Sequence, residues 1–303
     1  MALEPGDHYF TTGHAGLQYR VGGSGPLLIV QPPGWGIGAA PYQETLRPLE
    51  EVAKVVYLQP RGAAGVKPSP GESLNVQAFV EDLEQLRIHL NVEQFHLLGH
   101  SHGGLIALHY ASAYPERLSS LIALNAQLVG LPPEPATGGG QSEPALEQDP
   151  PEVIEALDYM RSVGGFGAIF SLKVDEEATE FLRRIFPLYF RDFSNARVLE
   201  PILSCLSLPL HTLQTVSSSD EHYPLDVERL RALPMPVLVV AGAYDRVCPV
   251  PSRRRLAKLL IRGRFILFEK SGHFPWLEEA EKFFRSVGEF IEEASNTAPN
   301  LPT

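Results

Sequence analysis

At 303 residues the chain is about the length of two average domains, and equally of one α/β domain of roughly 200–250 residues carrying an insertion. Hydrophobic residues make up 44% and charged residues 20%, with Gly 26 and Pro 27, which excludes disordered, collagenous and fibrous classes. The 25 Lys and Arg against 36 Asp and Glu give a net charge of -11, a field that repels phosphate backbones and argues against nucleic acid as a partner.

Cys205 and Cys248 are too few for a disulfide framework and lack metal-type spacing, so both thiols are expected reduced. The stretch from Met1 to Asp7 has neither a basic nor an apolar signal region. Every apolar run stops well short of the roughly 18 residues of a membrane span. A cytosolic protein with no membrane span is expected.

In chain order, Tyr9 to Thr12 and Leu17 to Val21 read as a hairpin between Gly-rich turns, followed by a buried strand at Leu27 to Val30. A helix through Tyr42 to Val52 leads to a second buried strand, Lys54 to Leu58. Phe79, Leu83, Leu86 and Leu90 share one face of a helix from Val76 to Leu90, with Asn75 as its N-cap. Strand Phe95 to Leu98 enters Gly99-His100-Ser101-His102-Gly103-Gly104 and a helix, and Ser120 to Leu124 is the next strand. Strands alternating with helices predict a three-layer α/β sheet.

Residues 131–151 are rich in Pro, Gly, Gln and Glu and read as a surface loop. From Val153 to Leu230 the signals are helical. The sheet resumes at Pro236 to Gly242, followed by a helix from Ser252, a strand Phe265 to Phe268 and a last helix through Ile291. The division is therefore a core of 1–126 and 233–303 around a helical cap of 127–232.

Gly99-His100-Ser101-His102-Gly103 is a G-x-S-x-G elbow, placed between a strand and a helix as the chemistry requires. A Gly-rich turn with a capping serine would show the same letters, but the strand-to-helix context favours a nucleophile. A serine hydroxyl needs a base, and the base an orienting acid. Asp245, three residues past the late strand, and His273, just past the last strand, stand in the order Ser, Asp, His. His100 and His102 lack a third ligand at metal spacing and read as scaffold or pocket lining. No metal or cofactor is implied.

These residues make the chain resemble the α/β-hydrolase superfamily along nearly its whole length. The run from Val80 to Leu90, then Val92 to Gly104, is similar to its esterase and peptidase branch. Serine at 101 disfavours epoxide hydrolases and haloalkane dehalogenases, which carry aspartate there. The resemblance implies an oxyanion hole completed from Pro32-Pro33-Gly34-Trp35-Gly36. Pro33 has no N–H, so Gly34 or Trp35 would donate beside His102 N–H. Gln59-Pro60-Arg61-Gly62 resembles proline iminopeptidases, whose cap glutamates read a substrate amino group, and the candidates here are Glu176, Glu177, Glu180 and Glu221.

The expectation is a serine hydrolase with Ser101, His273 and Asp245 acting on a small-molecule apolar acyl substrate, with Trp35, Phe186, Tyr189 and Phe190 lining the pocket. Ester, thioester or lactone hydrolysis, N-terminal peptide cleavage, and acyl transfer or cyclisation would all use this triad. A ligand receptor retaining the triad is the reading from another class. A buried, unpaired acid in the cap would favour the peptidase, and an all-apolar cap the esterase.

Overall fold

The computed structural model describes residues 2–11, 16–63, 66, 73–131, 149–200 and 207–297. The strands are β1 (Gly6–Thr11), β2 (Gly16–Gly23), β3 (Leu27–Gln31), β4 (Lys54–Gln59), β5 (Phe95–His100), β6 (Leu118–Leu124), β7 (Val237–Gly242) and β8 (Gly263–Phe268). They form one sheet in the order β1-β2-β4-β3-β5-β6-β7-β8. The first two strands are the expected hairpin, with Phe10 opposite Leu17. β2 runs antiparallel to β4, and every later pairing is parallel.

The helices are α1 (Ala40–Thr45), α2 (Val76–Leu90), α3 (His102–Ala113), α4 (Pro151–Val163), α5 (Asp175–Ile185), α6 (Leu210–Ser219), α7 (Val227–Arg231), α8 (Val250–Leu259), α9 (Pro275–Glu278) and α10 (Ala280–Thr297). Asn75 caps α2 as expected, its side chain accepting from Ala78 N–H at 2.9 Å. The single helix expected over 42–52 is instead α1 followed by a 3₁₀ turn at Arg47–Glu51. Pro48 is the reason, since it lacks an N–H and disfavours helical geometry at Arg47.

Strand side chains alternate between two cores because successive Cβ atoms point to opposite faces. Ile29, Val56, Leu97 and Val239 pack with α2, α3 and α8. Leu28, Val55, Leu98 and Val240 pack with α1, α10 and residues of the segment between β6 and β7. Among the described residues that segment contains helices and turns and no strand. The expected loop at 131–151 falls mostly outside the described residues. No described helix is long and apolar enough to cross a membrane.

β3 pairs with β4 on one side and β5 on the other. The chain leaves β3 toward α1 on one face and leaves β5 toward α3 on the opposite face. The two loops part there, opening the crevice at which α/β sheets place ligands. That crevice receives the Gly34 loop and the Ser101 elbow.

Candidate active site

Ser101 joins β5 directly to α3 and holds φ 57°, ψ -123°, a conformation that side-chain-bearing residues rarely adopt. Four main-chain bonds enforce it: Ser101 N–H donates to Leu124 O, while Ser101 O accepts from Gly104, Leu105 and Gln127 N–H. The flanking glycines answer to crowding. A Cβ at Gly99 would lie 2.3 Å from Gly103 O, and one at Gly103 would lie 2.1 Å from Gln31 O. The elbow is thereby pressed against the loop that follows β3.

Asp245 and His273 are brought together at 2.8 Å from His273 Nδ1 to Asp245 Oδ2, both side chains buried. Asp245 is ringed by donors. Oδ1 accepts from Val247 N–H (3.0 Å) and Cys248 N–H (2.8 Å), and Oδ2 also accepts from Asn125 Nδ2 (2.7 Å). Burial alone would raise its pKa, but the charge and hydrogen bond of His273, with Arg253 and Asn125, hold it below the ordinary carboxylate value. An acceptor-only carboxylate fixes the imidazole proton on Nδ1. His273 Nε2 is buried and has no hydrogen-bond partner among the described residues.

Asn125 was not singled out from the sequence. It follows β6 at φ 43°, which asparagine tolerates better than most residues, and reaches both Asp245 and Gly272 O. Beneath it lies Arg253, only 2% exposed, which donates to Ala126 O at 2.5 Å.

His100 behaves as scaffold. Tyr42 OH lies 2.7 Å from Nδ1, and Nε2 lies 3.0 Å from His273 O. Burial, then the neighbouring His273, pushes its pKa well below the ordinary histidine value. The neutral ring accepts from tyrosine and donates to the carbonyl, which fixes the main chain at His273. Its ring centroid lies 4.5 Å from that of His273, so the elbow and the imidazole adjoin.

The loop after β3 corrects one expectation. Gly34 N–H donates to His102 Nδ1 at 2.9 Å, so it is not free to meet an oxyanion. His102, fully buried at the first position of α3, in turn lies 3.1 Å through Nε2 from Asp220 Oδ1. Trp35 N–H and His102 N–H have no main-chain acceptor among the described residues. The Trp35 ring stacks on His102 with centroids 6.0 Å apart, and its Nε1 is buried without a partner among the described residues.

A cavity of about 380 Å³ lies under the segment between β6 and β7. Its walls include Trp35, Ile37, Phe181, Ile185, Tyr189 and Leu213, together with the polar Gln127, Asp220 and Glu221. Tyr189 packs edge-on to His273, centroids 5.2 Å apart, and its carbonyl accepts from His273 N–H at 2.6 Å. Phe190 is fully buried against Phe274 and is a core residue, because the turn aims it away from the cavity and into the aromatic stack. Phe186 lines a different cavity, of about 650 Å³, with Pro150, Arg197 and Glu200. The acids singled out from the sequence, Glu176, Glu177, Glu180 and Glu221, are exposed, whereas Asp220 is buried.

Glu278 ties that segment to the histidine loop. Oε1 accepts from Arg191 and Asp192 N–H at 2.9 and 3.0 Å, and Oε2 from Gly272 N–H at 2.6 Å. Burial raises its pKa from 4.5 to about 7, against the pull of those three bonds. Between these values the folded chain holds a proton that the unfolded chain has lost. The contribution is therefore complete below 4.5 and is lost as pH rises through about 7. Melting temperatures measured across this window should fall more steeply with pH in wild type than in Glu278→Gln, and parallel curves would refute the assignment.

The one described cluster with metal-type donors is Asp245, Cys248 and His273, whose ligand atoms lie within 4.8 Å of one another. The Asp245 oxygens are already committed, and burial pushes the Cys248 thiol up to about 12, so it stays protonated. Both nitrogens of His100 and of His102 are likewise engaged.

A family model for the alpha/beta hydrolase fold matches residues 26–280. The chain is similar to a proline iminopeptidase of Heyndrickxia coagulans, 24% identical over 285 residues that cover 89% of this chain and 91% of the relative. It is also similar to a pimeloyl-[acyl-carrier protein] methyl ester esterase of Aeromonas hydrophila, 27% identical over 277 residues, 89% of this chain and 96% of that one. Among solved structures, a meta-cleavage product hydrolase from Pseudomonas fluorescens IP01 superposes with a TM-score of 0.70 at 18% identity, covering 92% of this chain and 95% of the other. That last likeness concerns the fold alone. A β5–elbow–α3 unit at the switch point, a late acid–histidine pair and a model matching residues 26–280 point the same way: the chain belongs to the alpha/beta hydrolase fold family.

Proposed function

We propose that this hydrolase-family chain is a serine hydrolase of esters or thioesters with an apolar acyl group. The observation that carries the reading is the unpartnered His273 Nε2, held in one tautomer by Asp245 beside a largely aromatic and aliphatic cavity. In this reading Ser101 Oγ attacks the acyl carbonyl and gives its proton to His273 Nε2. The imidazolium is stabilised by Asp245 and then returns the proton to the leaving group. Trp35 N–H and His102 N–H receive the developing oxyanion. Water repeats the cycle on the acyl-enzyme, with the helices of 127–232 acting as the cap.

A cavity of this size and lining takes a medium acyl chain. Each methylene buried is worth about 0.8 kcal/mol, so kcat/KM on p-nitrophenyl esters should rise roughly fourfold per carbon until the cavity is filled, then fall. A profile that declines steadily from acetate would sink the apolar assignment.

One observation favours a second reading, the aminopeptidase. Asp220 is buried in the lining of the same cavity, where its described partners are His102 and Gln127 and no Lys or Arg. An ammonium on the substrate would find a desolvated counter-charge there. Prolyl p-nitroanilide run beside the esters decides between them. Labelling of Ser101 by a fluorophosphonate without turnover of either substrate would favour acyl transfer. Neither labelling nor turnover would favour a receptor.

A further inference from the structure

We propose that Asp220 is a positioning residue for the oxyanion loop, acting through the His102 side chain on Gly34. The inference rests on the serine-hydrolase reading for its catalytic consequence, and on hydrogen-bond geometry for its structural one. Gly34 N–H can only donate, so His102 Nδ1 must be a bare acceptor at 2.9 Å. The ring proton is then on Nε2, facing Asp220 Oδ1 at 3.1 Å. The contact is therefore a hydrogen bond from a neutral imidazole rather than an ion pair. Asp220, 4% exposed, selects the tautomer, and the tautomer holds Gly34.

What this achieves lies one residue on. With the Gly34 amide drawn onto His102, the next amide in the chain, Trp35 N–H, is the one left over for an oxyanion. The arrangement is tight on every side. A Cβ at Gly34 would lie 3.0 Å from His102 Cε1 and 2.5 Å from Phe79 Cζ, and the Phe79 ring stands edge-on to the His102 ring. Asp220 is itself anchored to the elbow, because Gln127 Nε2 donates to Oδ2 at 3.0 Å while Gln127 N–H donates to Ser101 O at 2.9 Å. A residue between β6 and β7 thus sets both the loop and the start of α3.

Without an acceptor at 220, the Nε2 proton is buried and unsatisfied. Moving it to Nδ1 would set donor against donor at Gly34. Asp220→Leu removes the acceptor and excludes water from its place. Asp220→Asn keeps an acceptor for His102, and the Gln127 amide, whose Oε1 has no partner among the described residues, can turn to accept from the new NH₂.

The test measures kcat and KM for a neutral p-nitrophenyl ester, affinity for a boronic acid that forms a tetrahedral adduct, and exchange of the Gly34 amide proton. For D220L, kcat and boronate affinity should fall about 10- to 100-fold with KM nearly constant, since the loss belongs to the tetrahedral state. Gly34 exchange should accelerate, and D220N should recover most of all three. D220A serves if D220L fails to fold. Retained Gly34 protection in a folded D220L or D220A overturns the proposal, as does a loss that appears in KM alone. If wild type neither turns over nor is labelled, the hydrolase reading falls, and Gly34 exchange together with the His102 ring ¹⁵N shifts still decides the positioning role.

Discussion

Ser101→Ala is expected to lower kcat by about 10⁶-fold while leaving KM for the ester nearly unchanged, because a unit of nucleophile, base and acid fails together. Fluorophosphonate labelling should vanish with it. The folded state should barely notice the loss of Oγ, but the backbone at 101 offers a second, independent readout. At φ 57°, ψ -123° a side-chain-bearing residue stores about 1–3 kcal/mol of strain, which alanine keeps and glycine releases. Glycine adds about 0.5–1 kcal/mol of chain entropy to the unfolded state, less than the strain. Ser101→Gly should therefore melt above Ser101→Ala although both are inactive. An S101A variant retaining more than about a hundredth of the activity would remove Ser101 from the chemistry. An S101G variant melting below S101A would remove the strain.

The fold was legible because its signals are local. Leu28 to Val30, Leu97 and Leu98, and Val237 to Val240 are apolar runs that only a strand buried on both faces needs, and each is a strand in the structure. The elbow was legible for a related reason: crowding at a strand-to-helix turn can be relieved only by glycines at fixed offsets from the serine. Asp245 and His273 were found from their places after β7 and β8, which the strand reading supplied.

What was not legible depends on contacts between distant parts of the chain. Gly34 looked like an oxyanion donor until His102, 68 residues away, claimed its amide. Asp220 sits at the end of a run of three serines and carries no mark that sets it apart from Glu221 beside it. Its role follows from burial, which sequence does not show for a single acid on a short turn. The aromatic letters of 181–190 promised an apolar lining, and the turn at Phe186–Tyr189 distributes them. Tyr189 faces His273, Phe186 lines another cavity and Phe190 packs on Phe274. Three polar contacts tie the β6-to-β7 segment to the rest of the site, namely Asp220 with His102, Tyr189 with His273, and Arg191 with Glu278. The histidine loop and the elbow are therefore held in part by residues outside the sheet.

Asp245→Asn is expected to lower kcat by about 10⁴-fold through the tautomer of His273, with little change in the position of any heavy atom. The four donors around Asp245 fall into two pairs, Val247 and Cys248 N–H on Oδ1, and His273 Nδ1 and Asn125 Nδ2 on Oδ2. A carboxamide must point its NH₂ at one pair. Main-chain amides cannot yield a proton, so that orientation would leave two buried donors opposed, at about 1–3 kcal/mol each. The imidazole can yield: it accepts on Nδ1 and carries its proton on Nε2, where it can no longer take one from Ser101. The same exchange has a signature in stability. The Asp245 carboxyl is held below its ordinary value in the folded chain, so its contribution is present above that value and lost as pH falls through the folded one. D245N should therefore lose thermal stability near neutral pH and show a flatter acid limb than wild type. An asparagine variant with kcat near wild type, or with an unchanged acid limb, would mean that Asp245 does not set the state of His273.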